Sequence, residues 1–179
     1  MEYALALLIL VLVVALVVSG PLRPNAPDPE RVEDERRATL EAAREHAPYA
    51  IGFVHVEGFG DPSAFVRSYP PGTVTLVYGD PARPRLVLTQ FEARIERQYA
   101  QKLAGSGTRV EQAHVDGTPA VWLAGEPHVF AFTTPSGSFI EETLYLARNT
   151  LVWQDGAVTL RIEGDFSKAD AIRIAESVD

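Results

Sequence analysis

The sequence predicts an α+β protein in which an N-terminal transmembrane helix precedes a single domain, with a mainly antiparallel sheet covered by two helices. Three observations carry this prediction. The chain opens on an unbroken apolar run, Tyr3–Val18. Short turn signals then separate strand-like segments. Two segments with helical periodicity, Ala93–Ala104 and Ser167–Val178, remain to cover the sheet.

The apolar run has the length of a membrane-spanning helix. Residues 1–22 match the roughly 20 residues that a helix needs to cross the hydrocarbon core of a bilayer, and no charge occurs between Glu2 and Arg23. A cleaved signal peptide is the alternative, but Glu2 stands where positive charge is expected, and Pro21 directly follows the plausible cleavage site. We therefore predict an uncleaved single-pass anchor over residues 1–22.

Residues 23–47 have the pattern of a linker followed by a stalk. Pro24, Pro27 and Pro29 favour extended backbone. From Glu30 to Ala47 the pattern is helical, with a charged surface and a thin apolar stripe. This pattern favours a solvated stalk helix over a partner-binding helix. The α+β domain itself is predicted over residues 48–179.

Four turn signals predict hairpins in the domain. Asp116-Gly117 and Asp155-Gly156 are typical of the type I′ turn, which needs positive φ at both central positions. The Gly79–Pro84 loop and Pro135-Ser136-Gly137 separate two further pairs of strands. Because hairpins join antiparallel strands, the sequence favours an antiparallel sheet.

The sequence assigns roles to single residues in one strand and one helix. Apolar and polar residues alternate along Val158–Glu163, which predicts one dry face and one solvated face. The last helix is predicted to begin with Ser167 as its N-cap and Asp170 at the capping-box position.

Composition excludes several classes of function. The net charge of −8 disfavours binding to nucleic acid and to anionic lipid headgroups. The chain has 0 Cys, which removes disulfides, thiol catalysis and thiolate metal sites. Neither a phosphate-binding loop nor a nucleophile elbow occurs, and Gly58-Phe59-Gly60 lacks the rest of a dinucleotide-binding fingerprint. We predict no catalytic residues, no cofactor and no nucleic-acid partner.

Candidate metal ligands are few. His114 and Asp116 are two residues apart and could share one strand face, with His128 on a neighbouring strand and Glu126 nearby. Their spacing matches no established ligand pattern, and Asp116 is also a turn residue. We therefore predict no metal site.

Aromatic residues are concentrated in the C-terminal half of the domain. Trp122, Phe130 and Trp153 belong either to a packed core, which we favour, or to an apolar pocket that holds a ligand. The two interpretations predict different structures. A core is closely packed at these residues, whereas a carrier has a sizeable apolar cavity between sheet and helix.

Ordered motifs run from Val74 to Val178, in particular Gly117–His128, Asn149–Trp153 and Leu160–Ser167. On these residues the chain resembles a bacterial family of unknown function, DUF4367. The resemblance implies an α+β domain displayed outside the cytoplasmic membrane, and it implies no catalytic residues. Some relatives are attached to anti-sigma factors, and others are similar to lipoprotein-carrier half-barrels, which makes a half-barrel one expected form of the sheet.

The orientation of the anchor is the point on which two arguments conflict. Arg23, Arg31, Arg36 and Arg37 follow the apolar run, and the positive-inside rule then places the domain in the cytoplasm. The family resemblance places it outside. We favour the outside, because Arg31, Arg36 and Arg37 are interleaved with acids beyond a proline-rich linker, and loops beyond short range translocate largely regardless of charge.

These observations lead to two hypotheses of function. In the first, the chain is a non-enzymatic sensing or interaction domain, tethered to the membrane at the bacterial cell envelope, with a protein partner. In the second, it is a carrier or receptor that binds a lipid or another apolar ligand in a pocket of the curved sheet, lined by Trp122, Phe130 and Trp153.

Overall fold

A computed structural model describes residues 35–67, 72–93, 107–125, 128–133 and 139–179, with the backbone alone for 35, 128–133 and 139–147. Within these ranges the chain forms ten strands and two helices. In chain order they are β1 Glu35–Ala38, α1 Leu40–His46, β2 Ser63–Arg67, β3 Thr73–Asp80, β4 Arg83–Glu92, β5 Thr108–Val115, β6 Thr118–Gly125, β7 His128–Thr133, β8 Phe139–Ala147, β9 Thr150–Asp155, β10 Val158–Gly164 and α2 Lys168–Ala175.

Eight strands form one open sheet in the order β1-β2-β3-β4-β10-β9-β6-β5, and β7 pairs with β8 in a separate ribbon. Every pair is antiparallel. The predicted α+β class and antiparallel sheet are therefore confirmed. Because β10 lies between β4 and β9, the sheet joins the first half of the domain to the second through a single central strand.

The four predicted strand pairs are present, with one turn shifted by a residue, and the predicted turn at Pro135-Ser136-Gly137 lies outside the described residues. Asp116 and Gly117 connect β5 to β6 with φ values of 47° and 79°, as the type I′ turn requires. In the β9–β10 hairpin, Asp155 is already paired with Val158, so Gly156 and Ala157 form the turn. Gly156 alone has positive φ there, 57°, which is the pattern of a type II′ turn.

The helix α2 begins where the sequence predicts. The Ser167 side chain accepts a hydrogen bond from Asp170 N at 3.2 Å, and its hydroxyl donates to Asp170 Oδ2 at 2.8 Å. The helix ends at Ala175, and Val178 instead forms an isolated bridge with Val54. The other predicted helix, Ala93–Ala104, falls almost wholly outside the described residues.

The prediction of one continuous helix from Glu30 to Ala47 is wrong for Glu35–Ala38, which is the strand β1. That strand pairs with β2, and α1 follows with Thr39 as its N-cap. Ala43 of α1 is 0% exposed in the main core. These residues therefore pack on the sheet instead of standing clear of it as a stalk.

The predicted anchor and the proline-rich linker lie in residues 1–34, outside the described ranges. Among the residues that the structure does describe, no helix is long and apolar enough to span a membrane.

The main core lies on the face of the sheet that α2 covers. It includes Leu76, Leu88, Leu151 and Ile162, all of which are 0% exposed. The opposite face differs from its prediction: in β10 the polar residues expected to be solvated are buried, with Arg161 and Glu163 both at 1% exposure.

Candidate functional site

An irregular segment, residues 48–56, crosses the end of the core face, and we call it the strap. Gln90 of β4 holds its centre. The Gln90 Oε1 atom accepts from Gly52 N at 2.8 Å, and Nε2 donates to Gly52 O at 3.0 Å. The buried amide thus makes the two bonds that a neighbouring strand would make, which satisfies the strap's backbone where no regular strand pairs with it.

Two tyrosines fix the rest of the strap. The Tyr49 hydroxyl lies 2.7 Å from Gly72 O and 2.6 Å from Gln90 O, and it donates its one proton to either. The Tyr78 hydroxyl accepts from Val54 N at 2.8 Å. Burial raises the pKa of both hydroxyls above the ordinary value. Both therefore stay neutral at physiological pH.

Residues 177–179 run beside the strap. Phe53 N donates to Asp179 O at 3.0 Å and Asp179 N donates to Phe53 O at 3.3 Å. His55 Nε2 and Asp179 Oδ1 are 2.6 Å apart at the surface. A Cβ at Gly52 would lie 2.6 Å from Val178 Cγ1, so any larger residue there would force the Val178 side chain to move.

A cavity of about 330 Å³ opens between the strap, the end of α2 and the turns of the β5–β6 and β9–β10 hairpins. We call it the end cavity. Its apolar wall includes Ile51, Val115, Trp153, Leu160 and Val178. The polar part of its lining consists of Gln90, Asp116, Thr118, Gln154, Asp155 and Asp179, and the three aspartates are exposed at its mouth.

The structure separates the three aromatic residues predicted to line a pocket. Trp153 lines the end cavity. Trp122 does not: it is 2% exposed, and its ring centroid lies 6.4 Å from that of Phe166, just before α2. The backbone of Phe130 is part of β7, but its side chain lies outside the described residues. Both tryptophans belong to the main core, Trp153 at 6% exposure, and Trp153 also borders the end cavity.

Most residues that line the end cavity lie within the part of the chain that matches one known protein family. The profile of a family described as Domain of unknown function (DUF4367) matches residues 66–178, from the end of β2 through α2. The chain belongs to DUF4367. Searches of curated proteins and of solved structures found no match. The DUF4367 segment supplies Trp153, Gln90 and the aspartates of both hairpin turns, whereas the strap precedes it in the chain.

The predicted metal candidates do not come together as a site in what is described. His114 is exposed on β5 opposite Pro119, and Asp116 occupies the turn beyond it. Glu126 and the side chain of His128 lie outside the described residues. Within the described part of the chain, no group of three His, Cys, Asp or Glu side chains is placed to hold a metal ion.

The second face of the DUF4367 sheet carries a buried ion pair that the alternation of β10 did not predict. Arg161 Nε lies 2.8 Å from Glu163 Oε1. The neighbouring positions on β4, β9 and β10 are threonines, and Thr89, Thr150 and Thr159 are each 0% exposed. Removing one charge of a buried pair leaves the other uncompensated, so replacing either Arg161 or Glu163 alone should strongly destabilise the fold.

A second groove, of about 530 Å³, lies between the β3–β4 hairpin and α2. Its three arginines are engaged with neighbouring groups. Arg148 pairs with Asp165, and Arg173 Nη2 lies 2.9 Å from Asp170 Oδ1. Arg85 donates to Gly58 O at 2.7 Å and lies over the Phe59 ring. The groove therefore offers less attraction to an anion than its arginines suggest.

Proposed function

We propose that this DUF4367 protein is a membrane-tethered, non-enzymatic interaction domain at the bacterial cell envelope, and that its end cavity receives a side chain of a partner protein. The observation that carries the proposal is the end cavity itself, in which one tryptophan and several aliphatic side chains lie behind three exposed aspartates.

The dimensions of the cavity suit a side chain. Pockets that enclose a whole small molecule run from roughly 300 to 1,000 Å³, and the end cavity, at about 330 Å³, is near the lower limit. Asp116 and Asp155 give the mouth negative charge, to which Asp179 adds beside His55, and such charge steers a partner of opposite sign. A lysine or arginine would place its apolar stem against Trp153 and its charge among the carboxylates.

The carrier hypothesis remains the second candidate because Trp153 lines a cavity. Two features support it less well. Trp122 packs closely instead of facing a ligand, and the end cavity combines its apolar wall with amides and carboxylates. A lipid chain would leave those polar groups unpaired, which is costly in a desolvated site.

The non-enzymatic character is proposed from the chemistry of the cavity. Its described lining contains no Ser, Cys, Lys or His, so no activated nucleophile of those types can be assigned there. Trp153, Gln90 and Gln154 bind and orient groups, but they do not supply a proton at neutral pH.

The membrane tether and its orientation rest on the apolar residues 1–22 and on the family resemblance. A reporter enzyme fused after Asp179 tests both. We expect activity from a reporter that works only outside the cytoplasm, and release of the fusion from membranes by detergent but not by high salt. Activity only from a cytoplasmic reporter would reverse the orientation.

The choice between partner binding and lipid carriage can be tested on the full chain with two measurements. Mass spectrometry of the protein purified in mild detergent should detect no stoichiometric envelope lipid. A photo-crosslinking amino acid at Thr118, on the cavity lining, should give a discrete protein adduct in cells, whereas the same group at the exposed Glu41 of α1 should not. A stoichiometric lipid together with no adduct from Thr118 would favour the carrier.

A further inference from the structure

The strand β5 is one end of the eight-stranded sheet, and among the described strands it pairs with β6 alone. Val115 and Thr118 pair across a two-residue turn, so the odd-numbered residues of β5 share their backbone hydrogen bonds with β6. The backbone groups of Val110, Gln112 and His114 therefore point away from the sheet. Such an edge is a template for adding another strand.

Lys168 lies across this edge. From the first turn of α2, its Nζ atom donates to Gln112 O at 2.7 Å and to Glu111 Oε2 at 2.9 Å. The bond to Gln112 uses one of the outward carbonyls in the middle of β5. A strand that paired with the whole of β5 would have to displace the ammonium group from this position.

We propose that Lys168 guards the β5 edge, and that this edge is a pairing surface for β5 of a second copy of the chain. The proposal is independent of the end cavity and of the function proposed for it. It commits to a second copy because the charges of β5 are self-complementary in one antiparallel register.

That register is centred on Val110. With Val110 opposite its own counterpart, Arg109 of each copy lies opposite Glu111 of the other, which gives two opposite-charge pairs across the strands. Centring the pair on Arg109 or on Glu111 would place like charges directly opposite, which is destabilising. Arg109 Nε and Glu111 Oε1 are 2.8 Å apart within one strand, so both side chains already lie on the same face.

A cysteine cross-link tests the register in the full chain, which has 0 Cys of its own. Paired residues at the symmetry centre have Cα atoms about 5.5 Å apart, within the usual range for a disulfide. Under mild oxidation we expect Val110→Cys combined with Lys168→Met to form a disulfide dimer about tenfold more readily than Val110→Cys alone, since two charge-assisted bonds no longer oppose pairing.

Matched variants define the mechanism. Arg173→Met, on the same helix but paired with Asp170, should leave the dimer yield at the level of Val110→Cys alone, and Lys168→Arg should restore the guard. His114→Cys with Lys168→Met should not cross-link, because these cysteines would be about 27 Å apart in this register. Adding Gln112→Pro should abolish the dimer, since proline removes an outward N–H that strand pairing needs.

The proposal is overturned if Val110→Cys with Lys168→Met stays monomeric while it melts cooperatively. It is also overturned if His114→Cys cross-links equally well, or if Gln112→Pro leaves the dimer intact, because association would then not be β5 pairing in this register. If Lys168→Met does not fold, Lys168→Ala provides the same comparison, and a cross-link yield no higher than that of Val110→Cys alone would count against the guard.

Discussion

Trp122 and Trp153 lie on neighbouring strands of the same sheet face, yet the structure uses them differently. Trp122 is opposite Leu151, and Trp153 is opposite Ala120, two residues further along the β6–β9 pair. Trp122 packs beside Phe166, whereas Trp153 borders the end cavity. Both rings belong to the main core, so the face of a strand does not decide whether a core aromatic residue also borders a cavity. The elements that cover each position decide it.

The largest expected effect is the loss of Trp122. Trp122→Ala should lower the free energy of unfolding by roughly 3–5 kcal/mol, the usual cost of deleting a large buried aromatic side chain. Trp153→Ala should cost less, because solvent can enter the enlarged cavity beside it. Denaturant midpoints of the full chain measure both. A Trp122→Ala shift below about 1 kcal/mol, or a larger one for Trp153→Ala, would contradict this division of roles.

The next effect concerns Gln90, which joins the core to the strap. Gln90→Leu keeps the size but leaves the Gly52 N–H and C=O without their partner, and we expect a loss of about 2–3 kcal/mol. Gln154→Leu is the matched control at the same cavity, since among the described residues Gln154 makes one bond, of 3.2 Å, to Ala93 O. Equal losses for the two variants would show that the strap does not depend on Gln90.

Tyr49 gives a smaller effect with a characteristic pH dependence. Tyr49→Phe should cost about 1 kcal/mol at neutral pH, the net value of one hydrogen bond. Since burial raises its folded pKa above the ordinary 10.0, the stability that it contributes is fully present below pH 10 and is lost as the pH rises toward the folded pKa. The difference between wild type and Tyr49→Phe should therefore shrink at alkaline pH. A constant difference would mean that the Tyr49 hydroxyl has the same pKa in the folded and in the unfolded chain.

The smallest effect belongs to Glu111, at the guarded edge. Lys168, with a lesser effect from Arg109, lowers the pKa of the Glu111 carboxyl. A lowered folded pKa stabilises the protein above the ordinary pKa of 4.5, and this contribution is lost as the pH falls through the folded value. Glu111→Gln should remove the contribution, so melting curves of wild type and variant should converge in acid. Salt should also reduce the difference at neutral pH.

The parts of the fold set by local chemistry were predictable from sequence. The Asp116-Gly117 turn and the Ser167 cap depend on interactions within a few residues, so they can be recognised without knowledge of the tertiary structure. The strand β1 was not predictable, because its sequence, Glu-Arg-Arg-Ala, has little preference for strands. It becomes a strand by pairing with β2, a tertiary effect.

The candidate site was predictable only in part. Trp153 was identified by its residue type, but nothing in the sequence distinguishes its surroundings from those of Trp122. The bond between Gln90 and Gly52 joins residues 38 apart, and neither residue belongs to a recognisable motif. Arg161 and Glu163 are charged residues in an alternating strand, a pattern typical of a solvated face, and their burial became visible only in three dimensions.

We propose that Trp153 belongs to a binding site as well as to the core, whereas Trp122 serves the fold alone. The most direct measurement is the yield of the Thr118 photo-crosslink in cells, in the full chain, with Trp153→Ala and with the milder core change Trp122→Phe. We predict that Trp153→Ala abolishes the adduct although the protein still melts cooperatively, and that Trp122→Phe retains it. An adduct that persists with Trp153→Ala in a folded protein would contradict the claim.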